Sequence, residues 1–212
     1  GSGKTESFLI PIINHLIAEH AEGRLGPGVR ALLLYPMNAL ANDQVKRLRE
    51  VLRDYPHITF GRYTGETQED PKKARELFAQ LNPGVDPIPN ELLSRAEMKK
   101  TPPHILLTNY AMLEYLLVRP LDTPLFDGPT AASWRWLAVD EAHVYGGSQG
   151  AEIAMLLRRL QQRVSPSSAL QSILTSATVG DDPSLVAEFA TRLTSATVEW
   201  VPGDEQRCDV VP

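Results

Sequence analysis

The sequence is poor in several things that would point to particular classes. It has one cysteine, Cys208, so neither an internal disulfide nor a cysteine-based zinc site can form within it. A lone thiol near the end of the sequence reads as a free cysteine and fits a reducing, cytoplasmic setting. No apolar run approaches the ~18 residues that cross a bilayer, and the start lacks the order of a signal peptide. The sequence also lacks positive charge: 21 Lys and Arg against 26 Asp and Glu give a formal net charge of −5. Any nucleic-acid contact must therefore be local or built from backbone groups. No internal repeat, low-complexity tract or dividing linker is present, so the 212 residues read as one domain.

Apolar runs and helical periodicities alternate through the sequence. RALLLY (30–35), ITFGRY (58–63), HILLT (104–108), RWLAVD (135–140), LQSILT (170–175) and ATVEWV (196–201) read as strands. Several are nearly continuous apolar runs, as expected of strands covered on both faces. Helical patterns over 5–19, 39–53, 72–80, 109–118, 149–163 and 183–192 lie between them. This alternation predicts an α/β fold, a parallel sheet with helices on both faces. Asp182-Pro183 places a capping carboxylate before a first-turn proline. Pro11 should kink the first helix or sit near the end of its first turns. The stretch 82–103 holds five prolines around a short amphipathic piece and reads as an excursion from the sheet. RPLDTPLFDGPT (119–130) is a second proline-rich loop.

Three stretches carry chemistry. The opening GSGKT, followed at once by a helix, matches the second half of the phosphate-loop pattern G-x-x-x-x-G-K-[ST]. In such a loop, backbone N–H groups and the positive end of the helix face phosphate oxygens. Gly1, Ser2, Gly3, Lys4, Thr5 and Glu6 are thus candidate nucleotide-binding residues. Lys4 would reach the β- and γ-phosphates, and the Thr5 hydroxyl would hold Mg²⁺. The second stretch is WLAVDEAHVYGG, a short apolar strand ending in Asp140-Glu141-Ala142-His143. Two carboxylates there are costly unless they meet a cation, which the magnesium of a nucleotide supplies. Asp140 would be the metal-side carboxylate and Glu141 would orient or deprotonate the attacking water; a solvated acidic turn is the bland alternative. The third is SILTSATVGD, a strand running into Thr175-Ser176-Ala177-Thr178, which in isolation is a hydroxyl-rich turn.

Taken in order, these stretches resemble the superfamily 2 helicases of the DEAD/DEAH-box group over the whole sequence. GSGKT resembles motif I, YPMNALANDQ (35–44) motif Ia, YTGE (63–66) the glycine element after it, and LLTNYAMLEYLL motif Ib or Ic. DEAH and SAT stand as motifs II and III. The finer wording is similar to large bacterial helicases of repair and phage-defence systems, which often carry a cysteine-rich C-terminal domain absent here.

The resemblance implies the first of two RecA-like lobes, a P-loop NTPase unit with ATP and Mg²⁺ clamped between lobes. The first strand, which feeds the phosphate loop, and the second lobe are then expected outside these residues, and this segment alone is expected to be almost inert. It also implies a nucleic-acid partner, with DNA favoured over RNA, gripped along one strand's backbone by Pro36, Asn38, Gln44, Thr64, Gly65, Thr108 and Asn109. Catalysis would rest on Lys4, Glu141 and His143. Coupling of nucleotide to strand would fall to His143, Thr175, Ser176 and Thr178. The same lobe also serves double-stranded DNA translocases, and a degenerate copy can act as a scaffold. Intact Lys4, Thr5, Asp140 and Glu141 argue against the scaffold. His15, His20, His57 and His104 have no role legible in the sequence.

Overall fold

The computed structural model describes residues 4–127, 133–164, 170–176 and 182–199, without the side chains of Lys4, Ala39, Ser148 and Pro183. Gly1, Ser2, Gly3, Ala177, Thr178 and Cys208 lie outside the described residues. Six strands, β1 (Ala31–Tyr35), β2 (Phe60–Arg62), β3 (Glu91–Leu92), β4 (Ile105–Asn109), β5 (Trp136–Val139) and β6 (Gln171–Leu174), form a single sheet. Their spatial order is β3-β2-β4-β1-β5-β6, and every pairing is parallel. The helices are α1 (Lys4–Ala21), α2 (Asn38–Leu52), α3 (Pro71–Leu81), α4 (Arg95–Lys100), α5 (Tyr110–Val118), α6 (Gly147–Val164) and α7 (Pro183–Thr194).

The continuous apolar runs are explained by a core on each side of the sheet. Side chains alternate along a strand, so Ala31, Leu33 and Tyr35 of β1 pack with Ile105, Leu107, Trp136 and Ala138 under α1 and α2. Leu32 and Leu34 point the other way, packing with Leu106, Leu137 and Val139 under α5 and α6. α1 contributes Phe8, Leu9, Ile12, Ile13 and Leu16, one stripe at helical spacing. That stripe explains why α1 runs unbroken through Pro11. An interior proline costs about 3 kcal/mol, whereas each buried large apolar side chain contributes about 1.5–3 kcal/mol.

Two expectations need correction. The proline-rich stretch does not leave the sheet: Glu91 and Leu92 pair with Phe60 and Gly61 as the edge strand β3. Polar anchors replace length there. The Asn90 amide reaches the carbonyls of Leu52, Tyr55 and Ile58 at 3.0, 3.2 and 2.9 Å, and Arg49 of α2 grips Glu91 in a two-pronged pair at 2.6 and 2.9 Å. Burial, the larger influence, raises the Glu91 pKa, and Arg49 opposes it. The second correction is at 196–201. Residues 196–199 form no strand; α7 ends at Ser195 in the left-handed region, with φ 58°. Ser195 bonds to Arg158, and Val198 N–H donates to Thr191, so local contacts hold the segment against α6 and α7.

His104, at the start of β4, has a structural role at the end of the sheet away from the motifs. Its Nδ1 accepts from Thr59 N–H at 2.9 Å, which places the proton on Nε2, 3.2 Å from the Gly26 carbonyl. Burial, reinforced by the Arg30 charge, pulls its pKa down to about 4 from 6.5. The folded state thus holds a neutral imidazole while the unfolded chain protonates. Stability from this site is whole above pH 6.5 and is lost as pH falls towards 4, by on the order of 3 kcal/mol. Urea denaturation at pH 7 and pH 4.5 should show the loss, and His104→Asn should flatten it relative to the parent.

Candidate functional site

In a parallel sheet all strands end on one rim, so the residues after β1, β2, β4, β5 and β6 are gathered together. Asp140, just past β5, is 8% exposed. Its Oδ1 accepts from the Thr175 hydroxyl and from the Glu141 N–H, the latter at 3.0 Å. Both bonds end on Oδ1, and among the described residues none ends on Oδ2, which suits a cation. The Ala142 N–H donates to the Thr175 carbonyl at 2.8 Å, so side chain and backbone both lock the end of β5 to the end of β6. Glu141 sits in the left-handed region at φ 53°, ψ 44°, a conformation that costs a non-glycine residue on the order of 1–3 kcal/mol. The backbone bonds on either side maintain it, and Glu141 is turned away from the line of β5. Its Oε2 is buried and lies 3.3 Å from His143 Nδ1, an ion-pair distance outside hydrogen-bond geometry. Gly150 makes the following turn possible: a Cβ there would stand 2.4 Å from the Tyr145 carbonyl oxygen.

The start of α1 comes to the same rim from the α2 side. Thr5, 8% exposed, accepts from Gln44 Nε2 at 3.3 Å, and Glu6 pairs with Arg47 at 2.7 Å. Tyr35, at the end of β1, joins this corner to the acidic one. Its phenol is pushed far above the ordinary range, first by burial and then by the Asp140 charge, with Arg47 opposing. Tyr145 experiences burial, Tyr110 and Asp140 in the same direction.

Orphaned polar atoms mark the same place. Nine buried side-chain polar atoms have no hydrogen-bond partner among the described residues; five belong to Tyr35, Gln44, Glu141, Tyr145 and Ser176. Buried polar atoms are normally satisfied. Orphans gathered around a carboxylate and a helix start suit a polar, metal-bearing ligand.

The residues expected to touch a strand separate into two groups. Asn109 caps α5, its Oδ1 accepting from Met112 N–H at 2.7 Å, and its Nδ2 donates to Asn38 Oδ1 at 2.6 Å. Asn38 Nδ2 in turn donates to Glu66 at 3.2 Å. With half-buried Pro36 and exposed Gly65 they make a polar ridge along the ends of β1, β2 and β4. Thr64 and Thr108 are wholly buried. Thr108 donates to the Tyr63 carbonyl at 2.6 Å and Thr64 lies 3.5 Å from the Thr67 hydroxyl, so these side chains build the ridge from beneath. Gln44 belongs to the Thr5 corner. Thr175 meets Asp140, and His143 lies beside Glu141. Sequence reasoning missed Arg95. Its Nη2 donates to the Thr64 and Gly65 carbonyls at 2.9 and 3.3 Å, and its guanidinium lies 5.2 Å from the centre of the Tyr63 ring. Asp122, wholly buried beneath, accepts from the Tyr63 hydroxyl. Neither residue stands in a stretch with a readable motif.

The parallel sheet, the helix-start corner and the Asp-Glu rim together define a RecA-like helicase domain. A model of the DEAD/DEAH box helicase family matches residues 1–186, and the chain belongs to that family. It is 34% identical to the Druantia protein DruE of Escherichia coli (strain UMEA 4076-1), over 85% of this chain and 14% of that protein. It is 30% identical to the ATP-dependent helicase Lhr-Core of Methanothermobacter thermautotrophicus, over 77% of this chain and 17% of that protein. The solved structure of the DUF1998 helicase MrfA bound to DNA and AMPPNP matches with a TM-score of 0.65 at 26% identity, covering 92% of this chain and 22% of that one. The chain thus spans a small part of each relative's length. Among the described residues no helix is long and apolar enough to cross a membrane.

Thr175→Val removes the hydroxyl that Asp140 accepts while preserving shape. It should cost about 1.5–3 kcal/mol of stability, the range for a hydrogen bond to a charged group. The denaturant midpoint reads this, and an unchanged midpoint would show that Thr175 does not hold the carboxylate.

Proposed function

We propose that this chain is the ATP-hydrolysing lobe of a nucleic-acid motor, with Mg²⁺–ATP seated between the start of α1 and the Asp140-Glu141 rim. The observation that carries this reading is the Asp140 carboxylate, held through Oδ1, with no hydrogen bond to Oδ2 among the described residues, amid the orphaned polar atoms. Thr5 and Asp140 would hold the metal, and Gly1, Ser2, Gly3 and Lys4 would line the phosphates, with Glu6 offering its backbone N–H while its side chain pairs with Arg47. The bound metal would neutralise charge on the phosphate oxygens and draw the nucleotide to the rim. Glu141, turned out of line by its left-handed backbone, is positioned to take a proton from an attacking water, and His143 beside it would set the orientation of that carboxylate. The Thr175 link to Asp140 makes the end of β6 sense what the rim holds; Ser176, with its buried hydroxyl, and Thr178, outside the described residues, would extend that link.

The strand contact falls on the ridge of Pro36, Asn38, Gly65 and Asn109, with Thr64 and Thr108 as its foundation; Gln44 turns to Thr5 instead. Amide groups, backbone N–H groups and the starts of α2 and α5 can grip phosphates without a basic surface. Glu66, which would repel phosphates, is partly neutralised by Arg62 at 3.2 Å. MrfA, solved with DNA, supports DNA as the partner. A second lobe of the full-length protein would close over the nucleotide and supply cationic charge to the transferring phosphoryl group.

Glu141→Gln in the full-length protein should lower nucleic-acid-stimulated phosphate release by about 10²–10⁴-fold, the span of general-base catalysis, while Mg²⁺–ATP still binds. Equal turnover in parent and variant would remove Glu141 from the reaction; absence of nucleotide binding by the parent would favour a scaffold lobe.

A further inference from the structure

Gln44 stands with the strand-contacting residues in sequence, yet its side chain occupies a different flank of α2. At 3.6 residues per turn, six residues carry it about 120° around the helix from Asn38. Asn38 and Asn42 face the end of β2, where they bond to Glu66 and Arg62. Gln44 faces α1 instead. Its Nε2 donates to Thr5 Oγ1 at 3.3 Å, and one turn further on Arg47 pairs with Glu6 at 2.7 Å. Tyr35, wholly buried between strand and helices, lies in the fields of both Arg47 and Asp140. α2 therefore touches the two proposed sites on separate flanks.

The chemistry of the Thr5 hydroxyl gives this contact its purpose. The oxygen has two lone pairs; one receives the Gln44 N–H, which fixes the side chain and leaves the other for a cation. Gln44 Oε1 is buried and has no partner among the described residues. Magnesium retains several of its waters, each a donor, so an unpaired acceptor beside the metal-side hydroxyl suits that hydration shell.

We propose that Gln44 is a positioning residue of the nucleotide site, fixing Thr5 for the metal and so tying nucleotide binding to α2, the helix whose first residue stands on the strand ridge. This rests on the nucleotide reading above. Coupling of this kind is reciprocal, so nucleic acid bound at Asn38 raises Mg²⁺–nucleotide affinity by the same factor as nucleotide raises nucleic-acid affinity.

The experiment uses the full-length protein, with fluorescent mant-ATP titrated at graded Mg²⁺ and a labelled single-stranded DNA bound without nucleotide. Gln44→Met keeps length and volume, and Gln44→Ala does not. Both should raise the Mg²⁺ concentration for half-maximal mant-ATP binding by about five- to tenfold, and nucleotide-free DNA affinity should stay within about twofold of the parent. A packing role would instead spare methionine and penalise alanine, overturning the proposal. So would a loss of nucleotide-free DNA affinity with the Mg²⁺ requirement unchanged, the behaviour of a strand-contacting residue. A parent that binds no Mg²⁺–mant-ATP overturns the nucleotide reading and this inference together; normal parental binding with both variants indistinguishable from it overturns this inference alone.

Discussion

A carboxylate nearly removed from water is the constraint around which the rim is organised. Asp140 ends a strand that is buried on both faces, where an unpaired charge would be far more costly than any one apolar contact could offset. The Thr175 hydroxyl and the Glu141 amide compensate through one oxygen, and a backbone bond from Ala142 to Thr175 secures the same junction. Three consequences follow. β5 and β6 must end level with each other, the chain must turn sharply after Asp140, and Glu141 must accept a backbone conformation that a residue of its kind rarely adopts. The strain at Glu141 results from meeting a buried charge at the end of a strand.

The second organising feature is α2. Its apolar stripe of Ala41, Val45, Leu48 and Leu52 seats it on the sheet, and its polar residues divide by direction. Asn38 and Asn42 serve the ridge, Gln44 and Arg47 the start of α1, and Arg49 the edge strand through Glu91. A rod fastened at three places moves as a unit, so displacement at one fastening is felt at the others. The wholly buried Tyr35 packs beneath it, its phenol within the fields of both Asp140 and Arg47.

Much of this was legible in the sequence because the relevant signals are local. DEAH at the end of an apolar run could be placed at a strand terminus, and Asn109 and Asp182 could be recognised as caps from their neighbours alone. What escaped was set by contacts distant in sequence. A two-residue strand has no periodicity, so β3 could be found only through Asn90 and Arg49, which hold it from elsewhere. Arg95 and Asp122 support Tyr63 and the turn after it from proline-rich segments with no motif. The pattern of 196–201 suggested a strand, but over the described residues 196–199 contacts with α6 and α7 took precedence. Gln44 shows a related limit: a motif assigns a residue to a neighbourhood, while the helical angle decides which side of the helix it faces, here towards Thr5.

The outermost strand, β6, carries a liability of its own. Among the described residues β5 is its only strand partner, and its side chains are the least covered in the sheet. Its outer row of amides and carbonyls can receive another extended segment. Preparations in which nothing caps that border will tend to stick edge to edge, and solubility at high concentration depends on what adjoins Gln171 to Leu174.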